Sequence, residues 1–133
     1  VYFQTDPLQQ RSPVRSPKKP LERFLQMISI LVVDDEQGMR DFLKIMLKKE
    51  GYQVQTAANG DMALASLEKE AFDLVISDIR MPGTSGLDLL AGIKEHYPDL
   101  PVIMITAFAS PDDAVIAMKN GAFDYISKPF NID

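Results

Sequence analysis

The 133-residue chain has no cysteine and a single histidine, His96. Without cysteine there can be no disulfide and no thiolate metal site, which fits a reducing cytoplasm. His96 falls in a predicted helix, far in sequence from the acidic clusters. No apolar run approaches the length of a membrane-spanning helix, so no membrane contact is expected. The N-terminus lacks a charged region followed by an apolar stretch, so no secretory signal is read. No glycine-rich nucleotide loop of the form GxxxxGK[ST] occurs. There are no sequence repeats.

Net charge is -5 and unevenly spread. Residues 1–26 hold five basic residues (Arg11, Arg15, Lys18, Lys19 and Arg23) against Asp6 and Glu22, giving +3 and leaving -8 for the rest. An acidic body argues against direct nucleic-acid binding by this domain. Pro7, Pro13, Pro17 and Pro20 mark residues 1–20 as an extended arm. Val1-Tyr2-Phe3-Gln4 resembles the end of a viral-protease cleavage site used with expression tags. Residues 1–26 are therefore read as an N-terminal arm, partly a tag remnant, and residues 27–133 as one domain.

From Ile28 the pattern alternates between short apolar runs and amphipathic stretches. Ile28–Val33, Tyr52–Ala57, Phe72–Ser77, Val102–Ile105 and Phe123–Ser127 are the predicted strands. The second is the most polar and is placed at an edge. Between them lie four predicted helices. The first carries Met39, Phe42, Leu43, Met46 and Leu47, and Gly51 ends it. Asn59 caps the second. Leu87, Leu90 and Ile93 face inward from the third. Ser110-Pro111-Asp112-Asp113 starts the fourth, with a capping serine, an early proline and acids at the positive dipole end. Met39, Met46 and Met118 are assigned to the core. Alternation of this kind implies an α/β fold with right-handed crossovers and a parallel sheet.

Chemistry-bearing residues stand at the strand ends. Val33 runs into Asp34-Asp35-Glu36, Ser77 into Asp78, Ile105 into Thr106, and Ser127 into Lys128. Loops at the carboxyl edge of an open parallel sheet form the ligand crevice. Carboxylates about 4 Å apart repel by roughly 4 kcal/mol per pair at an effective dielectric near 20. Such a cluster must protonate, separate or hold a cation. Oxygen ligands without histidine or cysteine favour Mg²⁺ or Mn²⁺ over zinc. A carboxylate can also be a nucleophile that forms an aspartyl phosphate. Lys128 could then neutralise a phosphoryl oxygen, with the Thr106 hydroxyl and the Ala107 amide as further donors.

Four segments in order resemble the receiver domains of bacterial two-component response regulators. They are Ile30-Leu31-Val32-Val33-Asp34-Asp35-Glu36, Ser77-Asp78-Ile79-Arg80-Met81-Pro82-Gly83, Met104-Ile105-Thr106-Ala107 and Tyr125-Ile126-Ser127-Lys128-Pro129-Phe130. Asp78-Ile79-Arg80-Met81-Pro82-Gly83 and Ala107-Phe108-Ala109 look most like the NtrC-type regulators, which act with an alternative sigma factor. The resemblance implies a flavodoxin-like (βα)5 receiver fold with strand order 2-1-3-4-5. A fifth helix should follow Phe130, so the domain is expected to lack it. The resemblance also makes Asp78 the phosphoacceptor. Asp34, Asp35, Asp78 and the Arg80 carbonyl become the Mg²⁺ site, with Asp34 acting partly through water. Lys128 and Ala107 would bind the phosphoryl group, and Thr106 and Tyr125 would be switch residues altering the helix 4/strand 5 surface. Implied partners are a sensor histidine kinase and an output domain, the chain's own or a partner's, that controls transcription.

Three other functions compete. A pseudo-receiver would have lost an acid or the lysine, and none is lost. An aspartyl phosphatase would want a second acid at position 80, which is Arg80. A flavin carrier would want a phosphate loop where Asp34-Asp35 stand. The arm adds one expectation. Leu21, Phe24 and Leu25 have helical spacing and could fill the face left by the missing helix, in cis or by arm exchange in a homodimer.

Overall fold

A computed structural model describes residues 28–107 and 110–128. The sequence expectations for the N-terminal arm, for Phe108 and Ala109, and for Pro129 onward lie outside the described residues. The described chain alternates five strands with four helices. They are β1 (Ser29–Val33), α1 (Gln37–Lys49), β2 (Gln53–Ala57), α2 (Gly60–Lys69), β3 (Leu74–Asp78), α3 (Gly86–His96), β4 (Val102–Thr106), α4 (Pro111–Lys119) and β5 (Asp124–Ser127). All strands run parallel in the order β2-β1-β3-β4-β5. This is the expected α/β receiver architecture, with the polar β2 at an edge.

Strand position follows composition. β1 is almost wholly apolar because it is central and covered on both faces. Its alternate side chains divide between two cores. Leu31 and Val33 join Val75, Leu89, Leu90, Ile93 and Met104 on one face. Ile30 and Val32 join Leu43, Val54 and Ile105 on the other. The helices begin and end where local chemistry allows. Side-chain oxygens of Asn59, Ser85 and Ser110 accept from Met62, Asp88 and Asp113 amides, capping α2, α3 and α4. Gly51 closes α1 at φ 100°, where a side chain would be strained.

Not every apolar residue at helical spacing lies in the core. Phe42 is 40 % exposed, because Met39, Leu43 and Leu47 form the row that α1 lays on the sheet and Phe42 flanks it. Met118 is 48 % exposed rather than core, because Ala117 alone is the buried residue of α4. In α3 the inward residues are Leu89, Leu90 and Ile93, while Leu87 is only partly buried.

Register carries the fold to the site. Val33 pairs with both Ala57 and Ser77, Asp78 with Ile105, and Thr106 with Ser127. The carboxyl ends of four adjacent strands are thereby aligned. Asp34 and Lys128 follow directly on two of them.

Candidate functional site

Asp34, Asp35 and Asp78 meet at this edge, with one carboxylate oxygen from each lying within 4.8 Å of the others. Asp34 is fully buried and Asp78 is 7 % exposed, whereas Asp35 faces solvent. Each buried acid is fixed by its own backbone neighbourhood. The Glu36 amide donates to Asp34 Oδ1 at 2.9 Å, and the Arg40 guanidinium donates to the Asp34 carbonyl at 2.8 Å. The Arg80 amide donates to Asp78 Oδ1 at 3.3 Å. The turn behind Asp78 is held tightly: the Gly86 amide donates to the Ile79 carbonyl at 2.8 Å. A Cβ on Gly86 would lie 2.0 Å from the Asp78 carbonyl oxygen and 2.7 Å from Ile79 Cα. Only glycine fits there, and nothing in the one-dimensional pattern announced it.

Lys128 enters from the far side of the sheet, 94 residues from Asp34 in sequence. Its ammonium donates to Asp34 Oδ2 at 2.9 Å and sits 3.5 Å from Asp78 Oδ2. Its amide donates to the Thr106 carbonyl at 2.7 Å, extending the β4–β5 ladder to the site. The structure thus places Lys128 beside the acids. That it pairs with Asp34 more closely than with Asp78 was not visible in the sequence.

Burial first, then the Asp34 charge, raises the Asp78 carboxyl above its ordinary value; Lys128 and the Arg80 amide oppose this and do not overcome it. For Lys128, burial on its own favours the neutral amine. The hydrogen bond to Asp34 and the charges of Asp34 and Asp78 outweigh it, so its pKa is raised. The cluster is therefore an uncompensated excess of carboxylate beside one firmly charged ammonium. A hard divalent cation fits that donor set: all-oxygen, anionic, and open at exposed Asp35.

A concavity of ≈ 280 Å³ opens over this cluster, lined by Asp35, Glu36, Asp78, Arg80, Ala107 and Lys128. A larger one of ≈ 500 Å³ lies by β2, around Lys48, Tyr52 and Glu70. The smaller one has the chemistry, because only it combines convergent acids with a buried cation. Thr106 is fully buried and Ala107 is exposed at the rim. Tyr125 is half-buried, and its hydroxyl accepts from the Ser110 amide at 3.3 Å, linking β5 to the start of α4. His96 lies at the end of α3 with its ring edge against Tyr97, apart from the cluster.

Residues 30–133 match the family described as the response regulator receiver domain. The regulator NtrC of Salmonella typhimurium is 47 % identical over 104 residues, covering 78 % of this chain and 22 % of that protein. ZraR of Klebsiella oxytoca is 43 % identical over 108 residues, covering 81 % and 24 %. Among solved structures, CheY4 of Vibrio cholerae superposes with TM-score 0.76 at 36 % identity, covering 79 % of this chain and 89 % of that one. TrrA of Thermotoga maritima, solved in complex with Mg²⁺ and BeF, gives 0.74 at 41 % identity, covering 80 % and 91 %. The chain belongs to the response regulator receiver domain family, on its NtrC-like side. It spans less than a quarter of the length of the NtrC and ZraR proteins it matches.

Proposed function

We propose that this domain is a phosphorylation switch in which Asp78 accepts a phosphoryl group from a sensor histidine kinase. The observation that carries the reading is the convergence on one buried carboxylate of two further acids and a buried lysine. An Asp78 oxygen attacks phosphorus, the bond from phosphorus to the donor's imidazole nitrogen breaks, and that nitrogen keeps the electron pair. Lys128 is placed to meet a phosphoryl oxygen by giving up its contact with Asp78. The Ala107 amide at the rim and the hydroxyl of buried Thr106 are the remaining donors. Asp34, Asp35, Asp78 and the Arg80 carbonyl would hold Mg²⁺, with Mn²⁺ as a substitute. When bound, such a cation neutralises charge on the phosphoryl oxygens.

The output follows from the path to α4. Tyr125 and Ser110 join β5 to that helix, and α4 carries Val115, Ile116 and Met118 exposed. A change at Thr106 and Tyr125 would alter this apolar surface, which we assign to control of an output domain in transcription regulation. A phosphoryl group shifts a two-state equilibrium only by its differential affinity for the two states. We assign residues 27–133 to the receiver and residues 1–26 to an arm.

The test is intact mass after incubation with acetyl phosphate and Mg²⁺. The parent should gain one phosphate and Asp78→Asn none. A folded parent that gains none would count against the switch and favour a binding module with this fold.

A further inference from the structure

Arg80 stands between two openings. It lines the acidic concavity with Asp78 and Lys128, and also a groove of ≈ 530 Å³ with Met81, Leu87 and Asp113. Its amide is held by Asp78 Oδ1, so the backbone cannot move far from the acceptor carboxylate. Its side chain instead reaches across to α4, where the guanidinium donates to Asp113 Oδ2 at 3.3 Å. Asp113 sits in the first turn of α4, and its amide is capped by Ser110 Oγ. Ser110 in turn donates to the Tyr125 hydroxyl. One contiguous path therefore runs from Asp78 through Arg80, Asp113 and Ser110 to Tyr125.

We propose that Asp113 is a positioning residue that tethers the Arg80 guanidinium to α4 and away from the phosphoryl position. The inference rests on the reading of Asp78 as phosphoacceptor. Arginine prefers a phosphoryl group to a single carboxylate, because its planar fork donates in parallel to two oxygens of a more highly charged anion. A phosphoryl group on Asp78 thus competes with Asp113 for one guanidinium. When Arg80 turns inward, the first turn of α4 loses an anchor at the residue whose amide the Ser110 cap holds. The pair is exposed on the Arg80 side (58 %), so the competition is fine tuning rather than a lock. Exposed ion pairs have a typical worth of ~0.2–1 kcal/mol, equivalent to about 1.4- to 5-fold in an equilibrium.

The probe is beryllofluoride, a phosphoryl analogue, titrated at fixed Mg²⁺ and followed by fluorine NMR. Asp113→Asn should lower the titration midpoint about threefold, because Arg80 is released to the analogue. Asp113→Glu, which keeps the charge, should restore the parental midpoint. In an Arg80→Ala background, Asp113→Asn should shift nothing. An equal shift in that background would mean that loss of the carboxylate acts through its field alone, and would overturn the tether. So would an unchanged midpoint in Asp113→Asn with Arg80 present. A parent that binds beryllofluoride while the variants do not differ refutes the tether only. A folded parent that neither binds it nor gains phosphate refutes the acceptor reading and the tether with it.

Discussion

Replacing Asp78 by asparagine should stabilise the metal-free protein, although it removes the contact with Lys128. The attraction between Asp78 and Lys128 across 3.5 Å amounts to about 4.7 kcal/mol at an effective dielectric near 20. Repulsion from Asp34 within 4.8 Å amounts to at least about 3.5 kcal/mol by the same reckoning. Asp35, exposed to water, adds about 1 kcal/mol more at the dielectric of bulk solvent. Attraction and repulsion therefore cancel to within roughly 1 kcal/mol. What remains is the cost of keeping an ionised carboxylate only 7 % exposed, and that cost decides the sign. Asparagine has nearly the same shape and can still accept from the Arg80 amide. The expected gain is about 1–2 kcal/mol, or ~5–10 °C in melting temperature for a domain near 100 residues. The assay is thermal melting by circular dichroism in EDTA and again with Mg²⁺. At ten times its Kd, Mg²⁺ should stabilise the parent by about 1.4 kcal/mol and the variant by less. An Asp78→Asn protein that melts below the parent in EDTA would refute the reasoning, since pair attraction would then exceed burial cost.

The same difference should depend on pH in a defined direction. The Asp78 carboxyl holds its proton more firmly folded than unfolded, so its stabilising contribution is complete below the ordinary 3.8 and lost as pH rises through the raised folded value. The advantage of Asp78→Asn in EDTA should therefore shrink as pH falls toward 4, and constant spacing of the melts would contradict this. Lys128→Ala should cost about 3 kcal/mol in EDTA, because it leaves Asp34 and Asp78 buried without their cation, and less in saturating Mg²⁺. Phosphate-dependent shifts at Tyr125 should weaken in that variant, which NMR of the tyrosine ring would show. For Lys128 itself the raised pKa means stabilisation present below its ordinary 10.5 and lost as pH climbs through the folded value, so the parent's lead over Lys128→Ala should narrow in alkali. Gly86→Ala should cost at least about 1–3 kcal/mol, since its Cβ meets backbone and not a side chain that could swing aside. Denaturant unfolding would measure it, and a neutral result would mean that the turn after β3 shifts freely.

Much of this protein was legible before any coordinate. Alternating apolar runs and amphipathic stretches carried the α/β class, since each strand's burial shows locally in its own residues. Capping serines and closing glycines marked helix ends, because a cap is a contact between residues three apart. The candidate acids and lysine were found by their positions at strand ends, and the strand order came from the family resemblance rather than from periodicity. What the sequence could not decide are contacts between distant segments. Lys128 pairs with Asp34 across 94 residues, and Arg80 with Asp113 across 33. Phe42 and Met118 have the hydrophobicity of core residues but lie off the buried row of their helices. Gly86 is required by a backbone 2.0 Å from where its Cβ would be. Local chemistry is written in the order of residues. Which carboxylate loses its water, and which cation faces it, depends on the register of strands that only the folded sheet brings side by side.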